Sequence, residues 1–216
     1  MRLIGDQQFT PEQLVAYELG YRTYITGSGF ISVSGFYNRY NDLLSIENRP
    51  VVPEALPTPP HLVLPIFLRN GIVAQTKGVE VATLFDVRSW LRLRGSYSYI
   101  HLNAGRAPGS NDASTVAQLN GDSPQHKAVF QSFFKAPGEL GVSLTYRYVS
   151  ALPGPDQRVP AYSTGDVRVA RRLGPDLELS VVGNNLFQPH HPEYAGDPGG
   201  LVGIRRSAYV KLTWTR

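Results

Sequence analysis

Three groups of residues could do chemistry. His190-His191-Pro192-Glu193 sets two imidazoles beside a carboxylate, donors that suit zinc or a related cation. Neighbouring side chains on an extended chain point to opposite sides, however, so such a site would need further ligands from elsewhere. Ser163 and Ser207 offer hydroxyls, but neither sits in a Gly-x-Ser-x-Gly turn, and the glycine pairs do not open a helix. Cysteine is absent, which removes thiolate catalysis, thiolate metal sites and disulfides together. No nucleophile stands beside a base, and an enzyme is not what these residues describe. His61, His101 and His126 stand alone and read as loop or interface residues.

The third group is a set of cations at alternate positions, interleaved with carboxylates. Arg22, Arg92, Arg94, Arg147, Arg168 and Lys211 fall on the same sides of their segments as Glu18, Glu80, Asp166 and Glu178. A spacing of two marks one face of a β-strand, so the element that must position these charges is a sheet with a polar face. The formal net charge is +4, which permits nucleic-acid binding. The basic residues are nevertheless scattered, and the nearest cluster, Arg168, Arg171 and Arg172, reads as a solvated face. Nucleic acid is not expected as a partner.

The strand pattern is clearest at the end of the chain, where Ala208, Val210, Leu212 and Trp214 alternate with Ser207, Tyr209, Lys211 and Thr213. Similar runs cover about residues 14–26, 30–47, 72–87, 91–102, 125–135, 140–150, 161–173 and 177–187, which predicts about nine strands. The 216 residues include 12 Tyr, 21 Gly and 17 Pro, a composition of strands and turns. No apolar run approaches the length of a transmembrane helix.

The connections between strands alternate. Those at Gly27, Arg88, Pro137 and Pro175 are short, whereas those around Pro50, Asn103, Pro153 and His190 are long. In a meander, alternate connections lie at one end of the sheet. One end therefore has tight turns and the other long loops, as in an outer-membrane barrel with short periplasmic turns and long extracellular loops. The aromatics fall at two heights: Phe85, Trp90, Phe134 and Trp214 near the short turns, and Tyr97, Tyr99, Tyr146 and Tyr148 near the long loops. Two such levels fit interfacial girdles. The apolar face would then meet outer-membrane lipid and the polar face a wet lumen. The fold class expected is all-β, an antiparallel up-and-down transmembrane β-barrel segment. An open sheet leaves backbone groups unpaired at both edges, and the first residues lack the apolar stretch of a signal peptide. Both points predict that residues 1–216 are the carboxy-terminal part of a longer barrel. A self-contained small β-barrel or β-sandwich binding protein is the alternative.

Several motifs carry a resemblance in order along the chain: Tyr17-Glu18-Leu19-Gly20-Tyr21-Arg22, Phe36-Tyr37-Asn38-Arg39-Tyr40-Asn41-Asp42-Leu43-Leu44, Gly78-Val79-Glu80, Tyr97-Ser98-Tyr99, Asn184-Asn185-Leu186-Phe187 and Tyr209-Val210-Lys211-Leu212-Thr213-Trp214. In these the chain resembles the barrel of TonB-dependent outer-membrane receptors. The resemblance implies a barrel of about 22 strands in the Gram-negative cell outer membrane, plugged by an amino-terminal domain. It implies uptake of a scarce small-molecule ligand, a ferric siderophore or similar iron complex, energised by the TonB complex through the plug. The plug domain and TonB box are not among these residues. The barrel-assembly machinery is the further implied partner; family members usually end Trp-x-Phe, and Arg216 holds the place of that final aromatic. No cofactor is expected. The cations named above are candidates to line the ligand path and guide an anion, although salt bridging to the plug and between strands is the simpler reading. Arg69, Arg106, Arg158 and Tyr194 are candidates for ligand capture in the extracellular loops.

Overall fold

Wherever the sequence alternates, the chain is extended, because alternation allows a paired strand to sort apolar and polar side chains onto separate faces. The computed structural model describes residues 1–25, 28–154, 159–193 and 203–215. The chain opens with β1 (Arg2–Gly5), β2 (Gln13–Tyr24) and β3 (Gly29–Asn48). A small hairpin, β4 (Val52–Glu54) and β5 (His61–Val63), precedes the long strands β6 (Pro65–Arg88) and β7 (Leu91–Arg106). Helix α1 (Ala113–Gly121) leads to β8 (His126–Ala136), β9 (Leu140–Val149), β10 (Tyr162–Arg172) and β11 (Leu177–Asn184). Last come β12 (His190–Pro192), β13 (Gly203–Arg205) and β14 (Ser207–Trp214).

Nine strands are hydrogen-bonded neighbours in the order β14-β11-β10-β9-β8-β7-β6-β3-β2, the strands that alternation predicts. The barrel is not closed by them. β1, too short to alternate visibly, joins β6 in parallel with Arg2 opposite Pro65 and Gly5 opposite Leu68. That pairing starts β6 at Pro65 rather than near residue 72. A proline is tolerated at the first position of a strand, where no ladder N–H is needed.

Three stretches that read as loops carry structure of their own: β4 pairs with β5, β12 with β13, and α1 lies between β7 and β8. The helix begins where the sequence offers an N-cap. Asp112 Oδ1 accepts from Thr115 N–H at 2.9 Å and from Ser114 Oγ at 2.9 Å. Its other oxygen accepts from Ile46 N–H at 2.6 Å, tying the helix start to β3. Val116 and Leu119, three residues apart on one helix face, pack with Tyr40, Leu43 and Leu102 against the buried Ile72, Ala74 and Ala104.

By backbone proximity the chain divides into two units, the first comprising Met1–Glu18, Phe36–Lys77 and His101–Ser123 and the second Leu19–Gly35, Gly78–Ile100 and Pro124–Arg216. The first unit is held by polar staples around a break in β3. Asp42 adopts φ 58°, a left-handed residue that shifts the alternation by one. Beyond it Ser45 and Glu47 are buried, at 0% and 3% exposure. Glu47 accepts from Ser110 Oγ at 2.6 Å and Asn111 N–H at 2.7 Å, and Ser45 Oγ accepts from Gly71 N–H at 3.0 Å. A methyl group on Gly71 would lie 2.5 Å from Ser45 Oγ and 2.7 Å from Glu47 Oε1, so the network requires glycine there. The opening segment is fastened by Arg69 Nε to Asp6 at 2.9 Å, Thr10 N–H to Asn70 Oδ1 at 2.8 Å and Leu44 N–H to Glu12 at 3.0 Å.

Burial alone pushes the Asp112 carboxyl up, but the bonds from Ile46, Thr115 and Ser114 outweigh it and hold the group below its ordinary value. A carboxyl depressed in the folded state stabilises it above the unfolded value, near pH ~4, and that contribution is lost as pH falls through the folded value. In the full receptor, protection of the α1 amides from hydrogen exchange should therefore decline on acidification below about pH 4, and decline less in Asp112→Asn. Asp112→Ala should cost the helix roughly 1–2 kcal/mol, and Gly71→Ala roughly 1–3 kcal/mol through overpacking. Both losses should appear as faster exchange in α1, with the strands of the second unit unchanged.

Candidate functional site

In the second unit the register stacks like upon like. On one face Gly95, Phe130, Tyr146 and Gly165 stand in a row, followed by Leu93, Ser132, Leu144 and Val167. Further along the sheet, Val181 faces Val210 and Leu179 faces Leu212. Apart from small hydroxyls, tyrosines and, towards the strand ends, His126 and Arg171, this face is apolar, and many of its large side chains are exposed, among them Phe130, Leu144, Val181, Val210 and Leu212. Near the short turns Trp90 stacks on Phe134 with ring centroids 6.3 Å apart, and Trp214 pairs with Leu177. Towards the other strand ends Tyr97 and Tyr99 stand opposite Ala128 and His126, and the Tyr97 hydroxyl meets His126 Nδ1 at 2.8 Å.

The opposite face is polar. Its rows are Ser96, Val129, Arg147 and Thr164; Arg94, Gln131, Thr145 and Asp166; and Arg92, Phe133, Ser143 and Arg168. Arg147 Nη1 donates to Asp166 Oδ2 at 2.7 Å, and Arg92 Nε to Asp86 Oδ1 at 2.6 Å. Arg168 pairs with Glu178. Arg22 has no carboxylate partner among the described residues and lies 5.5 Å from the centre of the Phe30 ring, a cation–π contact. Arg94 and Lys211 have no ion-pair partner among the described residues. Arg92 and Arg94 come together, with Arg88, Lys135, Trp90 and Phe133, around an open cavity of about 740 Å³. The six cations do not converge on one point, since Arg22 is on β2, Lys211 on β14 and the others between them in the sheet.

Of the loop candidates, Arg69 belongs to β6 and Arg106 ends β7, so both sit on strands rather than in loops, the strands being longer than alternation alone indicates. With Asp6, Asp42, Glu47 and Asn70, Arg69 lines a polar cavity of about 380 Å³. Arg106 is exposed. Arg158 and Tyr194 lie outside the described residues. Carboxylates that the sequence reading did not single out do much of the pairing: Asp86, Asp6, Glu47 and Asp112. Only Asp112 carried a legible signal, a capping residue just before a run of helix formers.

The Asn184-Asn185-Leu186-Phe187 motif closes β11 with a turn. Asn185 takes φ 55°, donates its N–H to Asp166 Oδ1 at 3.0 Å and accepts from Thr164 Oγ1 at 3.1 Å. The turn lays the Phe187 ring over Gly165, where a methyl group would come within 2.6 Å of it, and beside Tyr146. The histidine pair divides as its spacing requires. His190 is exposed, whereas His191 is buried, stacked on Tyr162 at 4.1 Å and bonded through Nε2 to Glu193 at 2.9 Å.

A family model described as "TonB dependent receptor-like, beta-barrel" matches residues 2–186. Among solved structures the chain resembles the FrpB iron transporter from Neisseria meningitidis, with a TM-score of 0.75 at 15% identity over 98% of this chain and 32% of that one. The siderophore receptor PirA from Acinetobacter baumannii gives 0.73 at 17% identity, over 98% of this chain and 33% of that one. A ferric enterobactin receptor mutant, PfeA from Pseudomonas aeruginosa, gives 0.73 at 17%, over 98% and 32%. At such identities the likeness shows the fold, and the chain spans about a third of the length of these structures. No curated protein matches it by sequence. The family consists of transport receptors rather than enzymes, found in the outer membrane of Gram-negative bacteria. With a mostly antiparallel sheet whose second unit has one apolar and one polar face, and a family match over most of its length, the chain belongs to the TonB-dependent receptor β-barrels.

Proposed function

We propose that this chain is the carboxy-terminal wall of an outer-membrane receptor that takes up a scarce ligand, a ferric siderophore or a similar iron complex. The observation that carries the reading is the sorting of side chains in the second unit, where registered rows leave one face apolar and exposed and the other charged. An exposed apolar face of this extent has no place in water but is the outer surface of a membrane barrel. The strands β8–β10, of 11, 10 and 11 residues, match the roughly 9–11 residues that a tilted spanning strand needs. The sheet's free edges and the chain's share of its structural relatives support a longer barrel, with the remaining strands and a plug supplied by the rest of the receptor. Coupling to the TonB complex then runs through that plug, and insertion through the barrel-assembly machinery.

On the polar face, Arg147 and Arg168 are spoken for by Asp166 and Glu178, and Arg92 by Asp86. Arg94 and Lys211 keep their charge available to an anionic complex passing the wall, and Arg22 keeps its own above Phe30. The loop candidates Arg69, Arg106, Arg158 and Tyr194 are assigned to ligand capture before that passage, with Arg69 held ready by Asp6.

Two measurements test this. Leu144→Arg places a charge on the lipid face and should cost roughly 2–4 kcal/mol near the bilayer centre, seen as loss of the detergent-resistant folded receptor in outer-membrane fractions. Ser143→Arg, one residue away on the polar face, should accumulate normally; equal accumulation of the two variants would remove the membrane assignment. In iron-limited cells, Arg94→Gln combined with Lys211→Gln should raise the KM for uptake of an anionic ferric complex about tenfold per folded receptor. Uptake that survives deletion of the whole receptor gene in cells lacking other receptors for that complex would refute the transport role.

A further inference from the structure

The first unit carries an arrangement that neither the ligand path nor the polar staples use. Along β6, Ile72, Ala74 and Thr76 are buried, whereas Val73, Gln75 and Lys77 are exposed on the other side. Asn38 Nδ2 donates to Thr76 Oγ1 at 3.0 Å, which sets residues 38 and 76 side by side and Tyr37 opposite Lys77 on the exposed side. The bond from Ala107 N–H to Gly71 O, 2.9 Å long, and the packing of Ala74 with Ala104 carry the register on to β7 and set His101 opposite Lys77. On the other flank the Tyr17 ring lies 6.3 Å from that of Tyr37. Tyr17, Tyr37, Lys77 and His101 thus form one row across four strands, with Arg39 two residues from Tyr37 on the same side of β3.

Arg39 and Lys77 are exposed, and neither side chain has a hydrogen-bond or ion-pair partner among the described residues. Diagonal neighbours on one face of a sheet stand roughly 7–8 Å apart, so the guanidinium and the ammonium flank Tyr37 within reach of one phosphate. On β6 the next residues on that side are Val79 and Val81, both apolar. Lys77 therefore shares its side of β6 with apolar residues, Val73 among them, and the ring of Tyr17 stands beside that of Tyr37. In such surroundings basic side chains extend to the headgroup level of a membrane and tyrosines mark its interface.

We propose that Arg39, Lys77 and Tyr37 bind a phosphate-bearing lipid headgroup of the outer leaflet. This rests on the membrane-barrel reading above. Arg39 offers a planar fork of donors to phosphate oxygens, Lys77 a point charge from the neighbouring strand, and Tyr37 a hydroxyl between them. A neutral headgroup leaves both cations unpaired. A free anion lacks the chains that would lie along the apolar side of β6, so a lipid is the occupant that uses both features. The site gives the wall a lipid ligand distinct from the transported one.

The test uses the full receptor, wild type and the double variant Arg39→Gln with Lys77→Gln, reconstituted in phosphatidylcholine vesicles with a minor fraction of a diphosphorylated glycolipid. Protease protection reports insertion, and native mass spectrometry of the extracted receptor reports retained lipid. The wild type should retain the phosphorylated glycolipid about tenfold over its dephosphorylated form. The double variant should insert equally and lose that preference, and Lys77→Arg with Arg39 intact should keep it. Equal retention by the double variant, or displacement of the lipid by millimolar inorganic phosphate, would overturn the headgroup site while leaving the barrel intact. Failure of the wild type itself to insert would instead refute the barrel reading on which the site depends.

Discussion

A wall in hydrocarbon has no water to satisfy its backbone, and each N–H or C=O left unpaired there costs several kcal/mol. Everything in the second unit follows from meeting that requirement. Six strands pair antiparallel from β7 to β14 with few interruptions, joined at one end by turns short enough to leave little backbone without a ladder partner. Gly138 at φ 74° and Glu139 at φ 58° make one such turn between β8 and β9, a place where left-handed backbone lets the chain reverse within a few residues. The same requirement makes the two edges costly. Among the described residues β2 has only β3 beside it and β14 only β11, which fits the longer barrel proposed above.

Once the ladder is fixed, side chains have no freedom about which face they occupy, and chemistry is partitioned by parity. The apolar side is finished by detail such as Phe187 lying over Gly165. The polar side is organised around Asp166, which accepts both from Arg147 on β9 and from the backbone of Asn185 after β11. It thus joins strand, neighbour and turn. The exposed ion pairs contribute ~0–1 kcal/mol each, so their value lies in fixing where positive charge is neutralised and where it remains.

The long connections obey the same backbone rule by other means. Outside the sheet they pair with themselves in small hairpins, coil into α1, or fasten to strand residues through carboxylates and asparagines. Asp112, Glu47, Asp6 and Asn70 each serve backbone donors or cations from distant parts of the sequence. The first unit is therefore held by polar contacts around a small apolar cluster, Ile72, Ala74 and Ala104, rather than by a large core.

Alternation with a period of two, interrupted by glycine and proline, was enough by itself to determine the nine long strands of the sheet, the sorting of the connections and the two faces, though not the short strands β1, β4, β5, β12 and β13, because a strand's side-chain direction is a local property. It also placed Arg92, Arg94, Arg147, Arg168, Lys211 and Arg22 on one kind of face. Partners were not legible. That Arg147 meets Asp166 while Arg94 meets no carboxylate among the described residues depends on register, which is decided between strands and not within one. The helix at Ala113–Gly121 escaped reading because its glycine- and asparagine-rich surroundings mask a short amphipathic segment, and its apolar side is meaningful only against Ile72 and Ala104. The shift of alternation at Asp42 likewise belongs to tertiary structure, since only the burial of Ser45 and Glu47 around Gly71 makes a left-handed residue worthwhile there.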